Sequence, residues 1–425
     1  MDKENHTEQL LDKLLSPEMF RTFRLAIQPS KIFLAFIAVA TICLGGWLLD
    51  FSMKVHVAPA DHQYTENSHI QKPLITELDL YLCDPLNFET NISKITDSGS
   101  KQGVFTTLWA FSRTKFNGIL SAIFAFDFKA IARQVAEFAR ATEWIIKYHF
   151  IFCVLFAAIT LSVIAVCGGA ICRMAALQYA KGEKTGMMAA LSFSLKRFTS
   201  FFTAPLLPLL LIIIIGLFIF VAGLLTNIPH AGGLIAGLLT PLILIAGAIV
   251  AALFIGGIAG LNLMFPAICY DGSDCFDAMS RALSYVYARP WCMAFYTSIA
   301  TVYGAVCYLF VRLYVFIALF SAHLFLQTGI WTKNETGIVN KLTVLWPQPT
   351  YLNLISKPLT TPCGFSEQYG ALLINLFSLF AIGLIIAFII SFYFSANTII
   401  YTALRRKVDQ TGIEDIYIEN ENTKI

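Results

Sequence analysis

Six apolar stretches constrain this chain more than any other feature of its sequence. They cover residues 32–51, 149–172, 201–226, 233–268, 291–326 and 368–404. Each holds roughly 20 or more mostly uncharged positions, about the length that an α-helix needs to cross a ~30 Å hydrocarbon core. Lipid offers no hydrogen-bond partners, so the backbone of each stretch must pair within its own helix. The sequence therefore predicts an all-α, polytopic membrane protein with about six transmembrane helices.

The composition agrees with this class. Apolar residues make up 57% of the 425 residues and charged residues only 13%, whereas soluble domains carry about 25% charged residues. The net charge of +3 is small, which argues against nucleic acid as a partner. We expect the lipid bilayer to be the main environment, with other membrane or soluble protein subunits as further partners.

The distribution of Lys and Arg predicts the orientation. The short loop at 227–232 has no Lys or Arg, and the loop at 327–367 has three. Cytoplasmic loops are enriched in these residues, so we expect both termini in the cytoplasm. The cytoplasmic positions would be Lys3, Lys13, Arg21, Arg24, Lys31, Arg173, Lys181, Lys184, Lys196, Arg197, Arg281, Arg289, Arg405, Arg406, Lys407 and Lys424.

This topology divides the chain into five parts. We expect the first span to be an uncleaved anchor, because it is longer than a typical signal-peptide core. The parts are a cytoplasmic segment (1–31), the transmembrane anchor (32–51), an extracytoplasmic domain (52–148), a five-span bundle (149–404) with an extracytoplasmic loop (327–367), and a cytoplasmic tail (405–425).

The extracytoplasmic domain changes character along its length. Residues 52–103 are polar and turn-rich, whereas apolar residues recur at helical spacing over 109–123 and 131–145. This period predicts two amphipathic helices. They could lie along the outer membrane interface, or they could pack on the bundle or on each other. Trp144 and Trp291 are interpreted as interface anchors.

Two short cytoplasmic segments echo each other. Residues 190–195 read Ala-Leu-Ser-Phe-Ser-Leu, and residues 278–283 read Ala-Met-Ser-Arg-Ala-Leu. Each lies in a predicted amphipathic interfacial helix, at 186–200 and 274–290, that leads into a proline and a span. The echo indicates either a duplicated unit, as in transporters, or convergence on the same kind of helix.

The second segment carries a family resemblance. It reads Asp-Cys-Phe-Asp-Ala-Met-Ser-Arg-Ala-Leu-Ser-Tyr-Val-Tyr-Ala-Arg-Pro-Trp over residues 274–291. With Gly-Gly-Ala-Ile-Cys-Arg at 168–173 and Lys-Arg-Phe at 196–198, it resembles uncharacterised polytopic membrane proteins of planctomycete-type bacteria, over roughly residues 150–320. The chain is more weakly similar to the membrane domains of some glycerophosphodiesterases, without a phosphodiesterase domain. The resemblance implies a bacterial inner membrane and no activity.

Two cysteines form a candidate disulfide. Cys83 and Cys363 fall in the outward segments, each beside a proline. An oxidising exterior would let them pair and close a very long loop. Two free thiols, or pairing with another subunit, are the alternatives.

Polar residues inside the spans form a second candidate site: Arg312, His323, Asn262 and Asn375. A charge near the bilayer midplane costs about 2.5–3.5 kcal/mol and should face protein or water. If the four residues share one cavity, they indicate a substrate or ion contact. The alternatives are an arginine bonded to carbonyls or reaching the outer leaflet, and ordinary interhelical hydrogen bonds for the others.

Four charged residues precede the fifth span: Asp274, Asp277, Arg281 and Arg289. They predict a cytoplasmic docking helix for a soluble partner. Alternatively, Asp277 and Arg281 simply pair across one helical turn, and an aspartate caps the helix start.

Signals for enzyme chemistry are thin. His56, Asp61, His62 and His69 cluster in the outer domain, but their spacing fits no zinc motif. No Walker motif, nucleophile elbow or zinc-protease helix is present, so we assign no catalytic, cofactor-binding or metal-ligating residue. The sequence favours a non-catalytic membrane subunit or scaffold of a larger assembly. A transporter or permease-like component with a cavity near Arg312, and an envelope- or lipid-modifying enzyme, are the alternatives.

Overall fold

The computed structural model describes residues 20–59, 74–90, 92, 100–229, 231–332, 340–354 and 365–418. The structure is 82% helical. Six of the described helices are long and apolar enough to cross a membrane, which confirms the predicted multi-pass helical protein. They are α2 (Pro29–Asp50), α6 (Phe150–Lys181), α9 (Leu207–Leu225), α10 (Gly232–Asp271), α12 (Pro290–Gly329) and α14 (Phe365–Val408).

Most of these helices are longer than the apolar stretches that predicted them. Helices α10 and α12 have 40 residues each and α14 has 44, which corresponds to about 60–66 Å of helix. Apolar stretches end where charge begins, but a helix continues through Arg and Lys. The last turn of α14 holds Arg405, Arg406 and Lys407, where cations complement the helix dipole.

α10 is one continuous helix despite two internal prolines, Pro241 and Pro266. The structure has no break between Gly232 and Asp271. Prolines are tolerated within spanning helices because neighbouring groups satisfy the carbonyls that they free.

The shorter elements complete the chain. The helices are α1 (Arg21–Ala26), α3 (Glu77–Cys83), α4 (Val104–Phe124), α5 (Phe128–Tyr148), α7 (Met187–Lys196), α8 (Phe198–Thr203), α11 (Cys275–Ala288) and α13 (Lys341–Leu345), and the strands are β1 (Lys54–Pro59), β2 (Leu74–Thr76) and β3 (Ser100–Gly103). By internal packing the chain divides into two units. Unit 1 contains the described parts of Met1–Ala38, Ser162–Val311 and Gly383–Ile425, and unit 2 those of Val39–Leu161 and Arg312–Ile382.

Unit 2 corrects the all-α prediction at one place. β1 pairs antiparallel with both β2 and β3, so that the sheet order is β2-β1-β3. Val55 and Val57 are buried, at 0% and 2% exposure, because alternate residues of a strand face the same side. The strands are too short for this alternation to stand out in a polar segment.

The two helices predicted for the outer domain are α4 and α5, and they pack on each other. The ring of Phe111 lies 5.5 Å from that of Phe138, and Lys115 pairs with Glu137. Trp144 is fully buried in the core of unit 2 and is not an interface anchor. Mutual packing therefore covers part of their apolar faces, while Trp109, Phe116, Ile123 and Val135 stay 39–55% exposed.

The core of unit 1 is formed by α6, α8, α10 and α14 together with the short helices. Phe265 lies 5.2 Å from Phe201 and 5.6 Å from Phe394, ring centre to ring centre. A side chain at Gly168 would collide with the ring of Phe394. Small residues at such crossings let the helix backbones approach closely.

α11 does not lie across the end of the span, as an interfacial helix would. It folds back along α10: Ala282 contacts Gly260, and Tyr287 contacts Gly256. The hydroxyl of Tyr287 donates a hydrogen bond to the carbonyl of Ala252 at 2.5 Å. Since the contacts advance along both helices in opposite directions, α11 runs antiparallel to α10.

Candidate functional site

A buried carboxylate, Asp271, is the centre of a polar cluster in unit 1. It lies 3.2 Å from Nη1 of Arg281 and 3.1 Å from Nε of Arg405. The hydroxyl of Tyr401 donates a hydrogen bond to the same side chain. Two cations and one hydroxyl thus converge on a carboxylate that is 6% exposed.

The local sequence explains how Asp271 meets Arg281. α10 ends at Gly272, whose φ of 65° is left-handed and suits glycine. The side chain of Asp274 then caps α11 by accepting from the N–H of Asp277. This short turn reverses the chain and brings the second turn of α11 beside the end of α10. Nη1 of Arg197 donates to the carbonyl of Gly272.

The residues after α14 return over this cluster. Nη2 of Arg173 donates to the carbonyl of Tyr417 at 2.7 Å, and the N–H of Tyr417 donates to the carbonyl of Tyr270 at 2.9 Å. The hydroxyl of Tyr285 donates to Asp409. We call residues 409–418 the C-terminal strap, since side chains of α6, α10 and α11 bind it.

Electrostatics keep the α11 groups in their bonding forms. Burial raises the pKa of Tyr285, and the hydrogen bond to Asp409 raises it further, so the phenol stays a donor. Burial opposes the charge on Arg281, but Asp277 and Asp271 overcome it and raise the pKa. Arg281 therefore stays charged and paired with Asp271 and Asp277.

The predicted docking residues are used mainly within the chain. Nε of Arg281 lies 3.0 Å from Asp277 across one helical turn, and Asp274 is the helix cap. Only Arg289, at the end of α11, is an exposed cation of this set. The outward face of α11 instead presents Phe276, Ser280 and Ser284.

Arg312 and His323 bind the segment 340–354 of unit 2. Nε and Nη2 of Arg312 donate to the carbonyl of Tyr351 at 3.1 and 3.0 Å, and Nη2 also donates to that of Leu352 at 3.0 Å. Nε2 of His323 lies 3.1 Å from the carbonyl of Trp346. The two side chains are three helical turns apart, so one face of α12 holds residues 340–354.

The two predicted asparagines have other surroundings. Asn262, in unit 1, accepts a hydrogen bond from the hydroxyl of Tyr393. Asn375, in unit 2, is half-buried on α14. The bonds of Arg312, His323 and Asn262 go to different partners, as the structural alternative predicts.

A polar centre in unit 2 was missed from the sequence. Oε1 of Glu77 accepts from the backbone N–H of His56 at 2.5 Å and lies 2.8 Å from its Nδ1. Nε2 of His149 lies 3.6 Å from Oε2 of the same residue. His56 lies in β1, and its side chain is 25% exposed. The available signal was the capping box of Thr76 and Asp79, which places Glu77 in the first turn of α3.

Burial opposes the charge on Glu77, but His149 and His56 favour it and hold its pKa below the ordinary value. The stability that this carboxylate contributes is therefore present above about pH 4.3 and lost as the pH falls through the lower folded pKa. We expect Glu77→Gln to be less stable at neutral pH and to lose less stability on acidification. Thermal unfolding between about pH 3 and pH 7 measures this. Glu89→Gln, at an exposed site, is the control, and an equal acid response in both variants would contradict the assignment.

Other predicted sites are less constrained. Among the described residues, no group of three His, Cys, Asp or Glu could hold a metal ion. Asp61, His62 and His69 lie outside the described residues. Cys83 is described and exposed. Cys363 lies outside the described residues, so the Cys83–Cys363 disulfide stays a prediction.

Comparisons with known proteins give no match. The chain matches no family model, and no curated protein or solved structure is similar to it. The resemblance to planctomycete-type membrane proteins and to glycerophosphodiesterase membrane domains stays a prediction, and function has to be argued from geometry.

Proposed function

We propose that this protein is a non-catalytic membrane subunit or scaffold of a larger assembly, in a bacterial inner membrane with both termini in the cytoplasm. The way its buried charges are used carries this proposal. Asp271 pairs with Arg281 and Arg405, while Arg173 and Arg312 donate to backbone carbonyls. Because these side chains are bonded within the chain, they stabilise the fold, and this supports a structural role over a catalytic one.

The outward face of α11 supports the same proposal. It combines an exposed aromatic residue, Phe276 at 59%, with the exposed Ser280 and Ser284. The inward face is fixed by the Asp271 cluster, so this surface is rigidly presented. Exposed aromatic side chains are enriched at protein interfaces. A subunit that packs on α11 would cover them.

The transporter alternative depends on Arg312 facing a polar cavity. The guanidinium is 6% exposed and is bonded to Tyr351 and Leu352, which favours a structural role. The enzyme alternative depends on converging acid or histidine side chains in the outer domain. Glu77, His56 and His149 do converge, but Glu77 is 5% exposed and is bonded on both sides, which favours a structural role there too.

Site-specific photo-crosslinking in the native host tests the proposal. A benzophenone amino acid at Phe276 or Ser284 should give a discrete heavier protein adduct, because a subunit would cover α11. Leu242, exposed at 48% in the apolar part of α10, should give only lipid adducts. The proposal fails if Phe276 and Ser284 also give only lipid adducts, or if the purified chain alone moves a solute into vesicles.

A further inference from the structure

Lys31 is a buried lysine at the start of a spanning helix. It lies in the first turn of α2 and is 0% exposed. Its Nζ donates to the carbonyl of Leu25 and to Oε1 of Gln178, both at 3.1 Å. Within the described part of the chain, no carboxylate lies within 4.0 Å of this ammonium group. A buried charge without a counter-ion is costly, by several kcal/mol.

A cavity of about 130 Å³ is bordered by Gln178, the side chain that accepts from Lys31. It is lined by Gln28, Pro29, Ser30, Met174, Gln178, Lys184 and Thr185. Every lining residue except Pro29 and Met174 carries a side-chain N–H or O–H donor, and none of the seven is a carboxylate. Glu183 adjoins Lys184 in sequence but does not line the cavity.

Gln178 links the buried lysine to the cavity. Its Oε1 accepts from Lys31, so its amide NH₂ group remains available as a donor. The cavity therefore combines neutral donors with the charge of Lys184 and the nearby field of Lys31. The positive charge of Lys184, with these donors around it, favours an anion with several acceptor oxygens.

We propose that this cavity binds a phosphate-bearing anion, which supplies the counter-charge of Lys31. The position of the cavity favours a phospholipid headgroup as the source. It lies where α2 begins and near the end of α6, two of the helices long enough to cross a membrane. Basic pockets between helices on the cytoplasmic side are known sites for anionic headgroups.

Three variants of the full chain test the site. Lys184→Gln removes a lining charge. Gln178→Glu places a carboxylate within reach of Lys31 and gives it an internal counter-ion, so the protein should stay at least as stable as wild type. Lys181→Gln removes an exposed charge from the same helix end, outside the cavity lining, and is the control.

The probe is phosphatidylglycerol in mixed nanodiscs with phosphatidylcholine, and native mass spectrometry counts the lipids retained on the released protein. We expect wild type and Lys181→Gln to retain phosphatidylglycerol selectively. Lys184→Gln and Gln178→Glu should bind it roughly tenfold more weakly, since each removes one charge-assisted interaction.

A second arm identifies the source of the phosphate. Millimolar inorganic phosphate is added to the protein in neutral detergent, and thermal unfolding is measured. Stabilisation by inorganic phosphate that Gln178→Glu abolishes would show a free phosphate ligand, and an effect of phosphatidylglycerol alone would show a headgroup. The proposal is overturned if Gln178→Glu and Lys184→Gln retain both ligands as wild type does, or if Lys181→Gln loses them equally.

Discussion

Replacing Asp271 by alanine should destabilise unit 1 by about 3–5 kcal/mol, the range for breaking a buried ion pair. The substitution leaves Arg405, 11% exposed, and Arg281 without their shared carboxylate. Tyr401 loses its acceptor as well. Equilibrium unfolding of the purified protein in lipid bicelles measures the loss.

Asp277→Ala is the matched control for this prediction. Asp277 also pairs with Arg281, but its side chain is 46% exposed, and exposed pairs of this spacing contribute about 0.3–0.5 kcal/mol. Limited proteolysis gives a second readout. Loss of Asp271 should expose the C-terminal strap to cleavage, because Arg405 also donates to the carbonyl of Asp415. Equal effects of the two substitutions would contradict a buried centre at Asp271.

Replacing Arg312 by alanine should cost about 2–4 kcal/mol and release the segment 340–354. The carbonyls of Tyr351, half-buried, and Leu352, on a residue that is 37% exposed, lose a charged donor. One hydrogen bond to a charged group contributes about 1.5–3 kcal/mol, and water partly replaces the donor at Leu352. Protease cleavage within 340–354 and thermal unfolding measure the two effects.

Arg312→Lys separates a structural role from a charge requirement. A lysine keeps the charge, but it lacks the planar fork that donates from Nε and Nη2 together. We expect only partial recovery of loop protection. Tyr314→Ala, 71% exposed two residues later on α12, should leave the loop protected. Normal loop protection in Arg312→Ala, combined with altered movement of a solute, would favour the transporter alternative.

The spanning helices could be predicted from the sequence because hydropathy is a local property. Each stretch has to satisfy its own backbone in lipid, so its neighbours hardly matter. The sequence did not predict in the same way that α10 and α14 continue as helices beyond their apolar stretches into polar residues. Helix ends depend on capping and on packing partners, which the apolar stretch does not encode.

The roles of the charged residues required the fold. Asp277 and Arg281 are four residues apart, and their pairing follows from that spacing. Asp271, by contrast, was not singled out from the sequence, because Arg405 lies 134 positions away and its contact depends on how α10 and α14 pack. Glu77 and His149 are likewise distant in sequence, so their contact could not be predicted. The three-stranded sheet was also not predicted, because its strands are short and show little apolar alternation.

The sequence alone determined that this chain is a multi-pass helical membrane protein, since the bilayer imposes length and hydrophobicity on every span. Tertiary structure alone decided which polar groups meet. A buried charge can persist only where a distant part of the chain supplies its partner, as Arg405 does for Asp271 and the segment 340–354 does for Arg312.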